Sequence, residues 1–132
     1  MKKIIILISI VLVASCSEKE RSVSTEQGNF AHSVYFWFNN PDNMVERDVF
    51  EASLSNFLDN SKYIQTSHVG VPATTGHRDV VDASYTYSLL LTFKDKDAQD
   101  KYQYEAVHKQ FIEETKHLWS KIVIYDSENI LQ

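Results

Sequence analysis

Within KYQYEAVHKQF, residues 101–111, a tyrosine and a histidine stand six positions apart, Tyr102 and His108. A neutral imidazole near pH 7 takes a proton from an activated carbon or hydroxyl, and a phenol donates a hydrogen bond to the oxyanion that develops on a neighbouring carbonyl. His108 falls on one helical stripe with Phe111, Ile112, Thr115 and Trp119, so it is expected to face apolar surroundings. Phe111 and Trp119, with Tyr85 and Tyr87 from an upstream strand, are candidates to hold a flat or oily ligand. The same residue types also suit a packed core in which each polar tip is satisfied by a neighbour. Spacing alone does not separate packing or ligand positioning from catalysis.

The elements that must position this pair follow from hydrophobic period. FAHSVYFWF, residues 30–38, is aromatic and β-branched and ends at Asn39-Asn40-Pro41-Asp42, the pattern of a strand closed by a turn. His32, Val34, Phe36 and Phe38 share one face, Tyr35 and Trp37 the other. With both faces apolar, the sheet is expected to be covered on both sides. Residues 41–60 carry Met44, Val45, Val49, Ala52, Leu54, Phe57 and Leu58 near helical spacing, with a proline close to the first turn. A second strand is expected over residues 63–69, a loop over 71–82 that includes His77 and Arg78, and a third strand over 83–93. On that strand Tyr85, Tyr87, Leu89, Leu91 and Phe93 are expected on one face. A short helix through Tyr102, the helix of His108, and a last strand over KIVIYD, residues 121–126, complete β-α-β-β-α-β, an α+β arrangement of the ferredoxin-like kind.

The chain begins MKKIIILISIVLVASC: two lysines, an apolar run of eleven residues and then small residues before the only cysteine. That run is too short for a bilayer-spanning helix, which needs about 20 residues, and reads as a secretory signal over residues 1–15. Val13-Ala14-Ser15-Cys16 resembles the lipobox of bacterial lipoproteins, which implies lipidation at Cys16, a membrane partner through that lipid, and a cell-envelope address facing the periplasm or exterior. Several acyl chains on one residue would anchor stably where a single chain is marginal. Residues 16–29 are then a polar tether, and 30–132 one domain of ordinary size.

Removing residues 1–15 takes away Lys2 and Lys3 and no acid, so the net charge falls from −5 to −7. Nucleic-acid binding is disfavoured, since no basic stripe is present. His32, His68, His77, His108 and His117 form no close pair in sequence and the cysteine is committed, so neither a metal nor a cofactor is expected.

AHSVYFWF, SLLLTF followed by DAQDKYQYEAVHKQF, and the closing WSKIVIYD together resemble the stress-responsive dimeric α/β-barrel (Dabb) domain, over roughly residues 30–126. The resemblance implies a homodimer in which two four-stranded sheets face each other with helices outside. Some relatives are polyketide cyclases that use a tyrosine and a histidine for aldol-type ring closure. Carried over, these are Tyr102 and His108, with His32 as the first-strand histidine lining the same region. The family's His-Pro-Ala-His is here Glu105-Ala106-Val107-His108, so the junction between helices is expected to differ. Three readings stand: a lipid-anchored protein binding a small apolar or aromatic molecule, a cyclase- or lyase-like enzyme, and an interaction protein without a ligand.

Overall fold

A computed structural model describes residues 28–131, so the expected signal segment and Cys16 lie outside the described residues. The elements are β1 (Phe30–Phe38), α1 (Met44–Asn60), β2 (Ile64–Gly70), β3 (Tyr87–Phe93), α2 (Lys96–Tyr102), α3 (Ala106–Thr115) and β4 (Trp119–Glu128). They form one four-stranded sheet in the order β2-β3-β1-β4, with every neighbouring pair antiparallel. This is the expected α+β ferredoxin-like arrangement, its second helical connection divided into α2 and α3.

β1 is central because alternation fits it for burial: Phe30, His32, Val34, Phe36 and Phe38 point under the helices. In β3, Tyr87, Leu89, Leu91 and Phe93 pair with the inward residues of β1 and point the same way. α1 lays Phe50, Ser53, Leu54 and Phe57 on the sheet at helical spacing, and α3 adds Phe111 and Thr115. Fully burying each large apolar side chain contributes about 1.5–3 kcal/mol, so this aromatic layer is the main source of cohesion. α1 begins after Asn43, whose side chain accepts from the amides of Val45 and Glu46. Pro41 therefore precedes the cap and lies outside the first turn.

The opposite face of the sheet is covered by no element of the described chain. Tyr35 and Trp37 are half-buried there, mainly by Tyr85 and by one another's neighbours, while Leu90 and Tyr125 are exposed. At one end of the sheet the chain enters through Gly28, where a Cβ would fall 2.1 Å from the Phe93 carbonyl oxygen. Only glycine fits that approach.

Two expectations need correction. Regular pairing of β3 starts at Tyr87, four residues later than the hydrophobic pattern suggests. The Thr86 hydroxyl accepts a hydrogen bond from the Phe38 amide at 3.0 Å, and the Thr86 amide donates to the Phe36 carbonyl at 2.7 Å. A side chain thus replaces a ladder partner, and Tyr85 crosses to the uncovered face against Tyr35 and Trp37. Tyr85 and Tyr87 do not share a face. Trp119 is likewise not on the helix of His108: α3 ends at Thr115, and Trp119 opens β4.

Candidate functional site

β1, α2 and α3 bring His32, Tyr102 and His108 together. Tyr102 is the last residue of α2 and is 2% exposed; its ring lies 4.4 Å from the His108 ring and 5.8 Å from that of His32, centroid to centroid. His32 is buried, and its Nδ1 meets Asp126 Oδ1 at 2.6 Å across the β1–β4 ladder. That contact fixes the imidazole and leaves Nε2 for a second partner. His108 is half-buried, packed between Tyr102 and Phe57, with Nδ1 3.4 Å from the Gln103 carbonyl. Donation from Nδ1 to that carbonyl leaves Nε2 as the basic nitrogen.

Electrostatics keep both groups in the protonation state proton transfer needs. Burial lowers the His108 pKa, seconded by His32 and opposed by the Gln103 contact and Glu105, so the imidazole is neutral near pH 7. Burial raises the Tyr102 pKa, and the Glu105 and Asp126 carboxylates add to it, so the phenol stays a donor. The α2–α3 break survives without the family's proline. Glu105 stands at the start of α3, and its carboxylate accepts from the Ser61 hydroxyl at 2.5 Å and the Lys62 amide at 2.8 Å. The junction is thereby tied to the end of α1.

Phe111 and Trp119 lie 6.3 Å apart and join Phe36 and Phe50 in the aromatic layer. Tyr87 stacks on Phe50 at 4.8 Å. Space lies beside these rings and not among them: a cavity of about 570 Å³ borders the α2–α3 junction at Tyr104, Glu105, Ala106 and Val107 without being lined by His32, Tyr102, His108, Phe111 or Trp119. Tyr87 borders a groove of about 510 Å³ between α1 and the ends of β2 and β3, walled by Leu54, Leu58, Val69 and Val71. Tyr85 borders a hollow of about 260 Å³ on the uncovered face, with Tyr35, Trp37, Asp82 and Tyr125. The proposed ligand set is therefore divided among a filled core, a groove and the opposite face.

Sequence reasoning passed over Asp126, Glu51 and the role of Glu105. Asp126 was recoverable from strand register, since it falls opposite His32 once β1 and β4 are aligned. Glu51, which accepts a hydrogen bond from the Tyr87 hydroxyl, had no distinguishing signal on an exposed helix face. Among the described residues no group of three or more His, Cys, Asp or Glu is placed to hold a metal, and no helix is long and apolar enough to cross a membrane.

A four-stranded antiparallel sheet with two helical connections in β-α-β-β-α-β order defines the class, an α+β protein of the ferredoxin-like kind. The family model of the Stress responsive A/B Barrel Domain, Dabb, matches residues 30–129, and the chain belongs to that family. A Dabb family protein with a ferredoxin-like fold from Mesorhizobium loti superposes with a TM-score of 0.63 at 17% identity, over 79% of this chain and 99% of that one. A hydroxynitrile lyase from Passiflora edulis gives 0.65 at 17% identity, over 78% and 95%. A dimeric protein of unknown function and ferredoxin-like fold from Bacteroides fragilis gives 0.59 at 16%, over 76% and 95%. Among curated proteins no sequence match was found.

Proposed function

We propose that the protein is a lipid-anchored envelope homodimer that binds a small apolar or aromatic molecule. The observation that carries the binding role is the groove of about 510 Å³ walled by Leu54, Leu58, Val69, Val71 and Tyr87. Its size and lining are those of small-molecule sites, commonly 300–1,000 Å³ and mainly apolar with a few polar groups. Dimerisation is supported by the aromatic face of Tyr35, Trp37, Tyr85 and Tyr125, which no described element covers, and by the dimeric Bacteroides fragilis neighbour. The anchor is supported by the basic, apolar and small-residue run that ends at Cys16.

Native mass spectrometry of the full chain purified in mild detergent from the membrane fraction tests all three parts. A dimer is expected, carrying a lipid adduct that Cys16→Ser removes and a co-purifying small molecule that a groove-filling Leu58→Trp displaces. A strictly monomeric chain would overturn the dimer. A ligand retained by Leu58→Trp would overturn the groove.

A second reading, proton-transfer catalysis, is favoured by the 4.4 Å approach of Tyr102 to a neutral His108 and by the hydroxynitrile lyase among the structural neighbours. In cleavage of a hydroxynitrile, His108 would take the hydroxyl proton as the carbon–carbon bond breaks. Tyr102 would donate to the developing carbonyl oxygen, and cyanide would leave to be protonated. Access requires the Phe57–His108 layer to open, since those rings fill the space. Cyanide release from an aromatic hydroxynitrile is the assay; undiminished release by His108→Ala would sink the acid–base assignment.

A further inference from the structure

Resting on the binding role of the groove, we propose that its occupant is a small amine, with an ammonium head on Glu51 and an apolar body between Leu54, Leu58 and Val69. The polar end of the groove consists almost wholly of acceptors. The Tyr87 hydroxyl donates to Glu51 Oε1, so its one proton is committed, and Oε2 of the same carboxylate is left for a ligand. The Tyr87 pKa is raised, first by burial and then by this hydrogen bond, which keeps the phenol a donor to Glu51. Ser55, also on the groove, directs its hydroxyl at Asp59 Oδ2 across 3.5 Å.

The neighbouring charges are one cation, which opposes an ammonium, and two carboxylates, which favour it. Arg47 is the cation beside Tyr87, its guanidinium carbon 5.1 Å from the ring centroid, and its Nε donates to the Pro41 carbonyl at 2.8 Å. It makes no ion pair with Glu51 among the described residues. Asp48 places a second carboxylate close enough to act on Tyr87. A carboxylate ligand would meet the Glu51 charge, and Arg47, whose Nη donors have no ion-pair partner among the described residues, is not one of the residues lining the groove, whereas an ammonium would form a charge-assisted hydrogen bond with Glu51. The aliphatic walls disfavour a sugar or another ligand polar all round, whose hydroxyls would lose water without gaining partners.

The test uses the full chain in zwitterionic phosphatidylcholine nanodiscs, with empty discs as blank, and calorimetric titration of three ligands sharing one aryl body: 2-phenylethylamine, 2-phenylethanol and 3-phenylpropionate. The amine is expected to bind about 10-fold tighter than the carboxylate, a difference of about 1.4 kcal/mol. Glu51→Gln is expected to bring the amine to within about 2-fold of the alcohol, with the circular dichroism spectrum unchanged. Equal binding of all three would overturn the amine assignment and leave the groove as a binding site. A stronger carboxylate, or an amine preference that survives Glu51→Gln, would also overturn the assignment. No binding of any of the three would remove the groove and the amine together.

Discussion

Two polar constellations rest against the same aromatic layer, and their surroundings differ. His32, Tyr102 and His108 sit where rings from Phe57, Phe93 and Phe111 fill the space, and the buried His32 nitrogen is satisfied by Asp126. Glu51 and Tyr87 sit at the rim of a groove, with one carboxylate oxygen that has no hydrogen-bond partner among the described residues. Removing a member of the first set leaves a cavity or an unpartnered buried polar atom, so its loss registers in stability. In the second set the Tyr87 ring belongs to the core, but deleting its hydroxyl leaves the exposed Glu51 carboxylate to solvent, so that loss registers in binding.

The largest expected effect is at the ring that joins both histidines. Tyr102→Ala removes a side chain that is 2% exposed and touches Phe57, Phe93, His32 and His108. Such aromatic truncations cost about 3–5 kcal/mol, read as a lowered urea midpoint at unchanged m-value. A cost below about 1 kcal/mol, the range of ordinary surface changes, would mean that the interior is looser than its packing indicates. Asp126→Ala comes next. It strands His32 Nδ1 in the core, at about 1–3 kcal/mol, while Asp126→Asn keeps a neutral partner and should recover much of the loss. Equal losses for Ala and Asn would show that the hydrogen bond contributes little.

How much of this was legible in the sequence depends on the range of the signal. Period-two alternation is local, so β1 and its inward His32 were correctly placed from FAHSVYFWF alone. The same rule failed at Tyr85 because alternation was carried through Thr86, where a hydroxyl takes the place of a ladder partner. Helical period likewise overran its element. Trp119 continues the stripe of His108, Phe111 and Thr115, but the Thr115 hydroxyl bonds back to the Phe111 carbonyl at 2.6 Å in the last turn and the helix stops there. The His32–Asp126 contact joins residues 94 positions apart and becomes visible only when two strands are set in register. Glu51 was invisible for a different reason: an acid on the outer face of a helix is normally solvated, and only the emergence of Tyr87 beneath α1 gives it a partner.

The pH dependence of stability tests the first set through His108. The folded His108 pKa lies below its ordinary 6.5, so between the folded value and 6.5 the unfolded chain binds more protons. Stability therefore rises with pH through that window and is fully present above it. His108→Gln should flatten this part of the profile, measured as urea midpoints between pH 5 and 7.5, a range about 6.5 that brackets the titration of an ordinary histidine. An unchanged slope would place the titrating group elsewhere and weaken the case for a desolvated imidazole beside Tyr102.

The smallest stability effect belongs to the groove. Tyr87→Phe keeps the ring that stacks on Phe50 at 4.8 Å and removes only the hydroxyl that donates to Glu51. A hydrogen bond to a charged group contributes about 1.5–3 kcal/mol net, and here the abandoned carboxylate is exposed and can turn to water, which places the expected loss below that range. A loss as large as that of Asp126→Ala would mean that Glu51 is held as tightly as His32 and that the groove is structural. A near-silent change in stability paired with a clear change in amine binding is the signature of a group built for a ligand. That outcome cannot arise from the Tyr102 cluster, where the same hydroxyl deletion is made inside a filled core.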